Sequence, residues 1–303
     1  METSADPKLG IDRVVATLAS EDNLRSMCHM RWRGEPLPSQ ADVKEIIDLF
    51  RALMFPGFFG NSDVNRSNIL YHTGLLVEQI THLLGQQIAA GLAFGEECDA
   101  NLNIDHILDQ GFDKAQQLVE KLPELRQALE ADVRATYLSD PAALSTQEVI
   151  FCYPGIKAIA NYRLAHALLQ LDVPIIPRMI SEQAHSETGV DIHPGASIGR
   201  SFTIDHGTGV VIGATAIIGD NVKIYQGVTL GARSFSLDDN GNPVKGTPRH
   251  PIIGNDVIIY SNASILGRIT IGDGAIIGGN VWVTTDVAPG ERVLQGRHVE
   301  KKD

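Results

Sequence analysis

Residues 190–231 read VDIHPGASIGRSFTIDHGTGVVIGATAIIGDNVKIYQGVTLG, and residues 252–283 read IIGNDVIIYSNASILGRITIGDGAIIGGNVWV. Aliphatic side chains recur there on a step of six: Ile192, Ile198, Ile204 and Val210, then Ile212, Ile218, Ile224 and Leu230, then Ile253, Ile259, Ile265, Ile271, Ile277 and Val283. A helix repeats at 3.6 residues and a half-buried strand at two, so a step of six is a repeat signature of its own. It implies a three-sided coil in which one hexad makes one flat face and about 18 residues complete a turn. The aliphatic of each hexad points inward onto its equivalent one coil away, and small residues take the corners. Parallel pairing between coils satisfies the backbone. A β-sandwich would instead show alternation of period two, with turns every roughly 8–12 residues.

The step breaks twice. Between Val210 and Ile212 the phase shifts, just after Asp205-His206-Gly207-Thr208-Gly209. Between Leu230 and Ile253 the pattern is lost in a stretch rich in Asp, Asn, Gly and Pro, as expected of a functional loop on a regular scaffold.

Upstream of the coil the period is helical. Val43, Ile46, Ile47, Phe50, Leu53 and Met54 share one face, as do Ile69, Leu76, Ile80, Leu83, Leu84 and Ile88. Pro123 is expected to interrupt the next helix, whose pattern resumes through Leu125, Leu129 and Val133. Another helix follows the Tyr153-Pro154-Gly155 break through Ile156, Ile159, Leu164 and Leu168. The Gly34-Glu35-Pro36-Leu37-Pro38 stretch reads as a linker. The fold class is therefore α+β: an all-α helical domain over 1–185, a coil over 186–290 with a loop at 232–250, and a tail over 291–303.

The chain has 303 residues and a net charge of −12. Residues 186–303 hold 10 Lys/Arg and 12 Asp/Glu, so nearly all of the excess acid lies upstream. An acidic chain without a basic stripe repels phosphate backbones, which argues against a nucleic-acid partner. No stretch has the length and apolarity of a membrane span, and METSADPKLG lacks the features of a secretory signal, so a cytoplasmic protein is expected. Cys28, Cys98 and Cys152 are scattered, and buried or reduced thiols are expected rather than a metal site.

The coil carries His193, His206, His250 and, near the end, His298. His206 follows Asp205 at the phase break, and His250 follows Arg249 at the end of the loop. A base, carboxylates and a guanidinium are what a small zwitterion requires. His193 reads as structural.

The ordered motifs DIHPGA, DHGTGVVIG and RHP, strongest over residues 140–285, resemble the serine acetyltransferases of bacterial and plant cysteine biosynthesis. The resemblance implies a left-handed parallel β-helix that moves the acetyl group of acetyl-CoA to L-serine. It implies His206 as general base, oriented by Asp191 of DIHP. It implies Asp140 and Asp205 as holders of the substrate ammonium, and Arg249 with His250 as holders of its carboxylate. Acetyl-CoA would lie in a groove between two β-helices at Gly231, Ala232, Ser261 and Gly279, so that a homotrimer is the catalytic unit, alone or stacked in pairs. No metal is implied, and L-cysteine is expected as a feedback inhibitor.

The chain departs from the family in three places. Ala214 stands where the family has a glutamate after VVIG, and the loop from Ala232 to Arg249 is longer. The end, GERVLQGRHVEKKD, lacks the terminal isoleucine with which family members plug the next enzyme of the pathway, so a complex with that sulfhydrylase is expected to be weak or absent.

Three other readings compete. An acetyltransferase acting on homoserine or an amino sugar would share the coil, although an ammonium-and-carboxylate clamp would be idle with a sugar. A zinc hydratase needs closely spaced histidines in one coil, which this sequence lacks. A non-catalytic scaffold would have no use for the DHGTG and RHP motifs.

Overall fold

A computed structural model describes residues 7–20, 36–60, 63–95, 103–234 and 237–295. Cys28, Cys98, His298, the start of the expected linker and the last eight residues lie outside these. Two compact units are formed, 1–35 and 36–303. The first contains helix α1 (Pro7–Leu18).

In the second unit the helices are α2 (Gln40–Met54), α3 (Ile69–Gly95), α4 (Ile104–Ser139), α5 (Thr146–Cys152), α6 (Pro154–Leu169) and α7 (Ile176–Thr188). The apolar face expected of α2 is its buried face, and Ser39 caps its start by accepting from Asp42 N–H. The expectation at Pro123 is corrected. One 36-residue helix runs through it, with Leu118 and Leu122 buried before the proline and Leu129 and Val133 buried after it. The apolar face buried on both sides of the ring keeps the helix in register, outweighing the cost of about 3 kcal/mol of an internal proline. Cys152, at the end of α5, is an exposed free thiol.

From Asp191 the chain winds into short parallel strands: β1 (Asp191–Ile192), β2 (Ser197–Ile198), β3 (Thr203–Asp205), β4 (Val211–Ile212), β5 (Ile217–Ile218), β6 (Lys223–Tyr225), β7 (Thr229–Gly231), β8 (Ile252–Ile253), β9 (Ile258–Ile259), β10 (Ser264–Leu266), β11 (Thr270–Ile271), β12 (Ile276–Ile277), β13 (Trp282–Val283) and β14 (Arg292–Val293). They stack as three sheets: β1-β4-β7-β10-β13, β2-β5-β8-β11 and β3-β6-β9-β12-β14. Up to β13 every third strand returns to the same sheet, which makes the three-sided coil, and β14 joins β12 after a single bridge, Ile271 to Val287, has taken the place of a strand in the second sheet. Ile192 pairs with Ile212, Ile212 with Leu230, Leu230 with Ile265 and Ile265 with Val283, a column of inward aliphatics. Each is 5% exposed or less, so the hexad reading and the core coincide.

The registers locate both breaks. Asp205 of β3 pairs with Tyr225 of β6, twenty residues on, whereas Val211 of β4 pairs with Thr229 of β7, eighteen on. The two extra residues therefore lie between Asp205 and Val211. Ile217 of β5 pairs with Ile252 of β8, 35 residues on, so the loop leaves the coil between β7 and β8.

Helix α6 joins the helices to the coil. Its Tyr162 hydroxyl donates to Ala196 O at 2.6 Å and accepts from Ile198 N–H. Arg163 donates twice to Asp132 of α4 and once to Gly199 O, while Asp132 also accepts from Phe202 N–H. His166 Nδ1 lies 2.7 Å from Pro194 O. A single apolar core consequently runs from α2 to the last coil.

Candidate active site

The site residues gather at two corners of the coil, on opposite edges of the sheet that begins with β1. The first corner leads from β3 into β4. Here the two extra residues are absorbed by consecutive left-handed backbones, His206 at φ +57° and Gly207 at φ +94°. The left-handed region is ordinary for glycine and costs a side-chain-bearing residue about 1 kcal/mol or more. The resulting kink turns His206 outward, with its side chain 74% exposed and Nε2 3.7 Å from Asp205 Oδ1.

Asp191 stands at the same corner one coil below. Gly209 N–H donates to Gly189 O, and a Cβ on Gly207 would lie 2.9 Å from Val190 Cγ2. The backbones of the two segments therefore touch. No hydrogen bond joins the Asp191 and His206 side chains, and the carboxylate in ion-pair range of the imidazole is that of Asp205.

Asp140 reaches this corner from the helices. It is the C-cap of α4, and Oδ1 accepts from Ala142 N–H while Oδ2 accepts from the Tyr153 hydroxyl at 2.6 Å. The Tyr153 bond holds the Asp140 carboxyl below the usual range and pushes the phenol up to about 12. Asp140, Asp205, Tyr153 and Lys223 line one small cleft. Lys223, 13% exposed, lies 3.4 Å from Asp205 Oδ2, donates to Ser139 O at 2.9 Å and sits over the Tyr225 ring. Burial works against its ammonium, yet the contacts with Tyr225 and Asp205 outweigh it and hold the pKa above the usual value.

The second corner leads from the same sheet into β2, β5 and β8. His250 is 7% exposed. Its Nδ1 accepts from Thr215 N–H at 3.1 Å and lies 2.8 Å from Thr215 Oγ1, which itself accepts from the N–H groups of Arg249 and His250. A backbone N–H can only donate, so Nδ1 carries the lone pair and the proton sits on Nε2. Burial, reinforced by Arg249, His193 and Arg268, lowers its pKa to about 4. The imidazole is therefore a neutral donor near pH 7. Gly213 makes room for it, since a Cβ there would fall 2.0 Å from the ring. Arg268 Nη1 donates to Thr215 O at 2.7 Å and His250 O at 3.0 Å. His193 accepts at Nδ1 from Gly195 N–H, which closes its own turn as its structural reading expects.

The positions expected to line the acetyl-CoA groove divide in the same way. Gly231 ends β7 and Ala232 follows it at the second corner, whereas Ser261 and Gly279 follow β9 and β12 at the first. Ser261 and Gly279 are neighbours, since a Cβ on Gly279 would lie 3.2 Å from Ser261 O.

The sequence reading missed Tyr153, Gly213, Thr215, Lys223 and Arg268. Tyr153 registered only as part of a helix break. The signal for Lys223 was a charge at an outward hexad position, which is ordinary on any coil until the C-terminus of α4 is seen to cover it.

The bacterial transferase hexapeptide family (six repeats) matches residues 250–285. A plasmid-encoded serine acetyltransferase of Synechococcus elongatus is 44% identical over 292 residues, 95% of this chain and 91% of that protein. The chain belongs to the serine acetyltransferases. Across 167 residues the serine acetyltransferase of Mycobacterium tuberculosis is 47% identical, covering 55% of this chain and 69% of that one. In three dimensions, this serine acetyltransferase is similar to isoform 3 of Entamoeba histolytica in complex with cysteine, with a TM-score of 0.71 and 31% identity over 98% of this chain and 94% of the other. The soybean serine acetyltransferase complexed with serine gives 0.54 and 29% over 84% and 97%. The protein is thus an acyltransferase on a left-handed parallel β-helix. Among the described residues no helix is long and apolar enough to cross a membrane.

Proposed function

We infer that this protein transfers the acetyl group of acetyl-CoA to the hydroxyl of L-serine, giving O-acetylserine and CoA in the first step of cysteine biosynthesis. The observation that carries the reading is the division of the site between two corners. Asp140, Asp205 and His206 stand at one edge of a face, and Arg249 and His250 stand at the other. A six-residue face at about 3.3 Å per residue separates them by on the order of 15 Å, which one amino acid does not span. The two half-sites meet when the first corner of one copy abuts the second corner of its neighbour. Repeated three times, that contact closes a trimer.

In such a seam the ammonium of serine lies against Asp140 and Asp205, and its carboxylate lies against Arg249 and the Nε2–H of His250. The division of Gly231 and Ala232 from Ser261 and Gly279 fits an acetyl-CoA groove along the same seam. His206, on the exposed and kinked turn, accepts the hydroxyl proton as the oxygen bonds to the thioester carbonyl, and returns it to the sulfur when the carbon–sulfur bond breaks. Asp191, adjoining that turn, is suited to orient the imidazole once the seam has closed around it. The Entamoeba relative binds cysteine, and a thiol in place of the hydroxyl fits the same clamp.

The test is the release of thiol from acetyl-CoA with L-serine, homoserine and an amino sugar as acceptors. Serine is expected to be preferred, and L-cysteine is expected to inhibit competitively against it. Preference for an amino sugar would overturn the clamp.

A further inference from the structure

Three arginines converge beside the second corner. Arg233, two residues past β7, Arg249 at the end of the loop, and Arg268 in the turn after β10 line one cavity with Ser234, Thr247 and Gly267. No carboxylate lines it among the described residues, and neither Arg233 nor Arg268 takes part in a described ion pair. In a chain of net charge −12, three guanidinium groups thus share the wall of one cavity. Like charges gathered around one cavity repel, and an anion placed among them relieves the repulsion.

Arg268 is also held in place. Its Nη1 donates to two backbone carbonyls, those of Thr215 and His250, which belong to the network that orients the His250 imidazole. The guanidinium is thereby tied to the residue that presents a neutral N–H donor at this corner. A planar guanidinium anchored at one nitrogen keeps its remaining donors for a bidentate oxyanion.

We propose that Arg233, Arg249 and Arg268 form one oxyanion-binding pocket, in which Arg233 and Arg268 are binding residues additional to the Arg249–His250 pair. The ligand chemistry is a carboxylate or phosphate oxyanion. Two sources carry it into the seam, namely the carboxylate of the amino-acid acceptor and a phosphate of acetyl-CoA. The tie of Arg268 to His250 favours the carboxylate. This rests on the serine acetyltransferase reading above only for the choice of source.

The test uses the full-length protein with Arg233→Gln, Arg268→Gln and the double substitution. Calorimetric titration with inorganic sulfate reads the pocket without turnover, and steady-state kinetics read KM for serine and for acetyl-CoA separately. The expected result is sulfate binding to the wild type that weakens at least tenfold in the double variant. A KM for serine raised about tenfold is expected alongside, with KM for acetyl-CoA within twofold. A rise confined to KM for acetyl-CoA would assign the pocket to a phosphate and overturn the carboxylate source. Because Arg268 holds two carbonyls, its loss threatens the fold locally; Arg233→Gln, at an exposed position, covers that case with the same signs at smaller size. Unchanged sulfate affinity and unchanged KM values in a folded double variant would overturn the pocket. Wild-type protein that binds sulfate yet acetylates no serine would instead defeat the proposed function and leave the pocket standing.

Discussion

The two corners of the coil solve opposite problems with the same scaffold. At the first, a two-residue insertion forces His206 into a left-handed backbone and leaves its imidazole exposed beside Asp205. At the second, a long insertion returns to the coil at His250 and buries the imidazole against Gly213 and Thr215. A group that exchanges a proton with substrate needs access to it, and exposure provides that. A group that only donates a hydrogen bond gains from burial, because a low pKa keeps it neutral and its direction fixed. The repeat builds neither environment. Each arises where the repeat is interrupted.

The sharpest way to break this contrast is His206→Ala. It is expected to lower kcat by roughly 10²–10⁴-fold while the circular dichroism and melting temperature stay near wild type, because an exposed side chain contributes little to stability. Near wild-type turnover would remove the proton-transfer role from the first corner.

Gly213→Ala attacks the second corner instead. A methyl group 2.0 Å from the His250 ring forces the imidazole aside, so about 1–3 kcal/mol of stability is expected to be lost together with a rise in KM for serine. Chemical denaturation and steady-state assays read both. An unchanged KM would show that His250 does not hold the carboxylate.

Tyr153→Phe tests whether the helices tune the first corner. It deletes the hydroxyl that donates to Asp140 and is expected to cost about 0.5–1.5 kcal/mol of binding, up to roughly tenfold in KM for serine, with kcat little changed. A fall in kcat with unchanged KM would place Tyr153 in the chemical step.

The fourth expectation concerns stability against pH at the second corner. The folded pKa of His250 is lowered to about 4, below its unfolded value of about 6.5. Its contribution is therefore fully present above pH 6.5 and is lost as pH falls toward 4, since only the unfolded state takes up the proton in that window. Denaturation midpoints are expected to drop over this range in the wild type and to drop less in His250→Asn. Parallel profiles for the two proteins would show that the imidazole is not buried neutral.

Much of the coil was legible in the sequence because a hexad repeat has one physical solution. Ile192, Ile198 and Ile204 can all be buried only if the chain turns after each of them, and once it turns, coils must stack to pair their backbones. Both breaks were visible for the same reason, as departures from a strict step. The helices were less legible. Pro123 read as an interruption, yet α4 runs through it, since the apolar face on either side of the ring is buried against the rest of the core.

By itself, then, the sequence determined the three-sided column and the chain positions of its two irregularities, because the spacing of side chains along a chain is a one-dimensional property. Only the tertiary structure decided that Tyr153 and Lys223 flank Asp140 and Asp205, that Thr215 and Gly213 set the tautomer and place of His250, and that three arginines share a cavity. These contacts join residues tens of positions apart at different faces and corners. The lateral register of coil on coil and helix on coil that brings them together is fixed by packing, which no local period encodes.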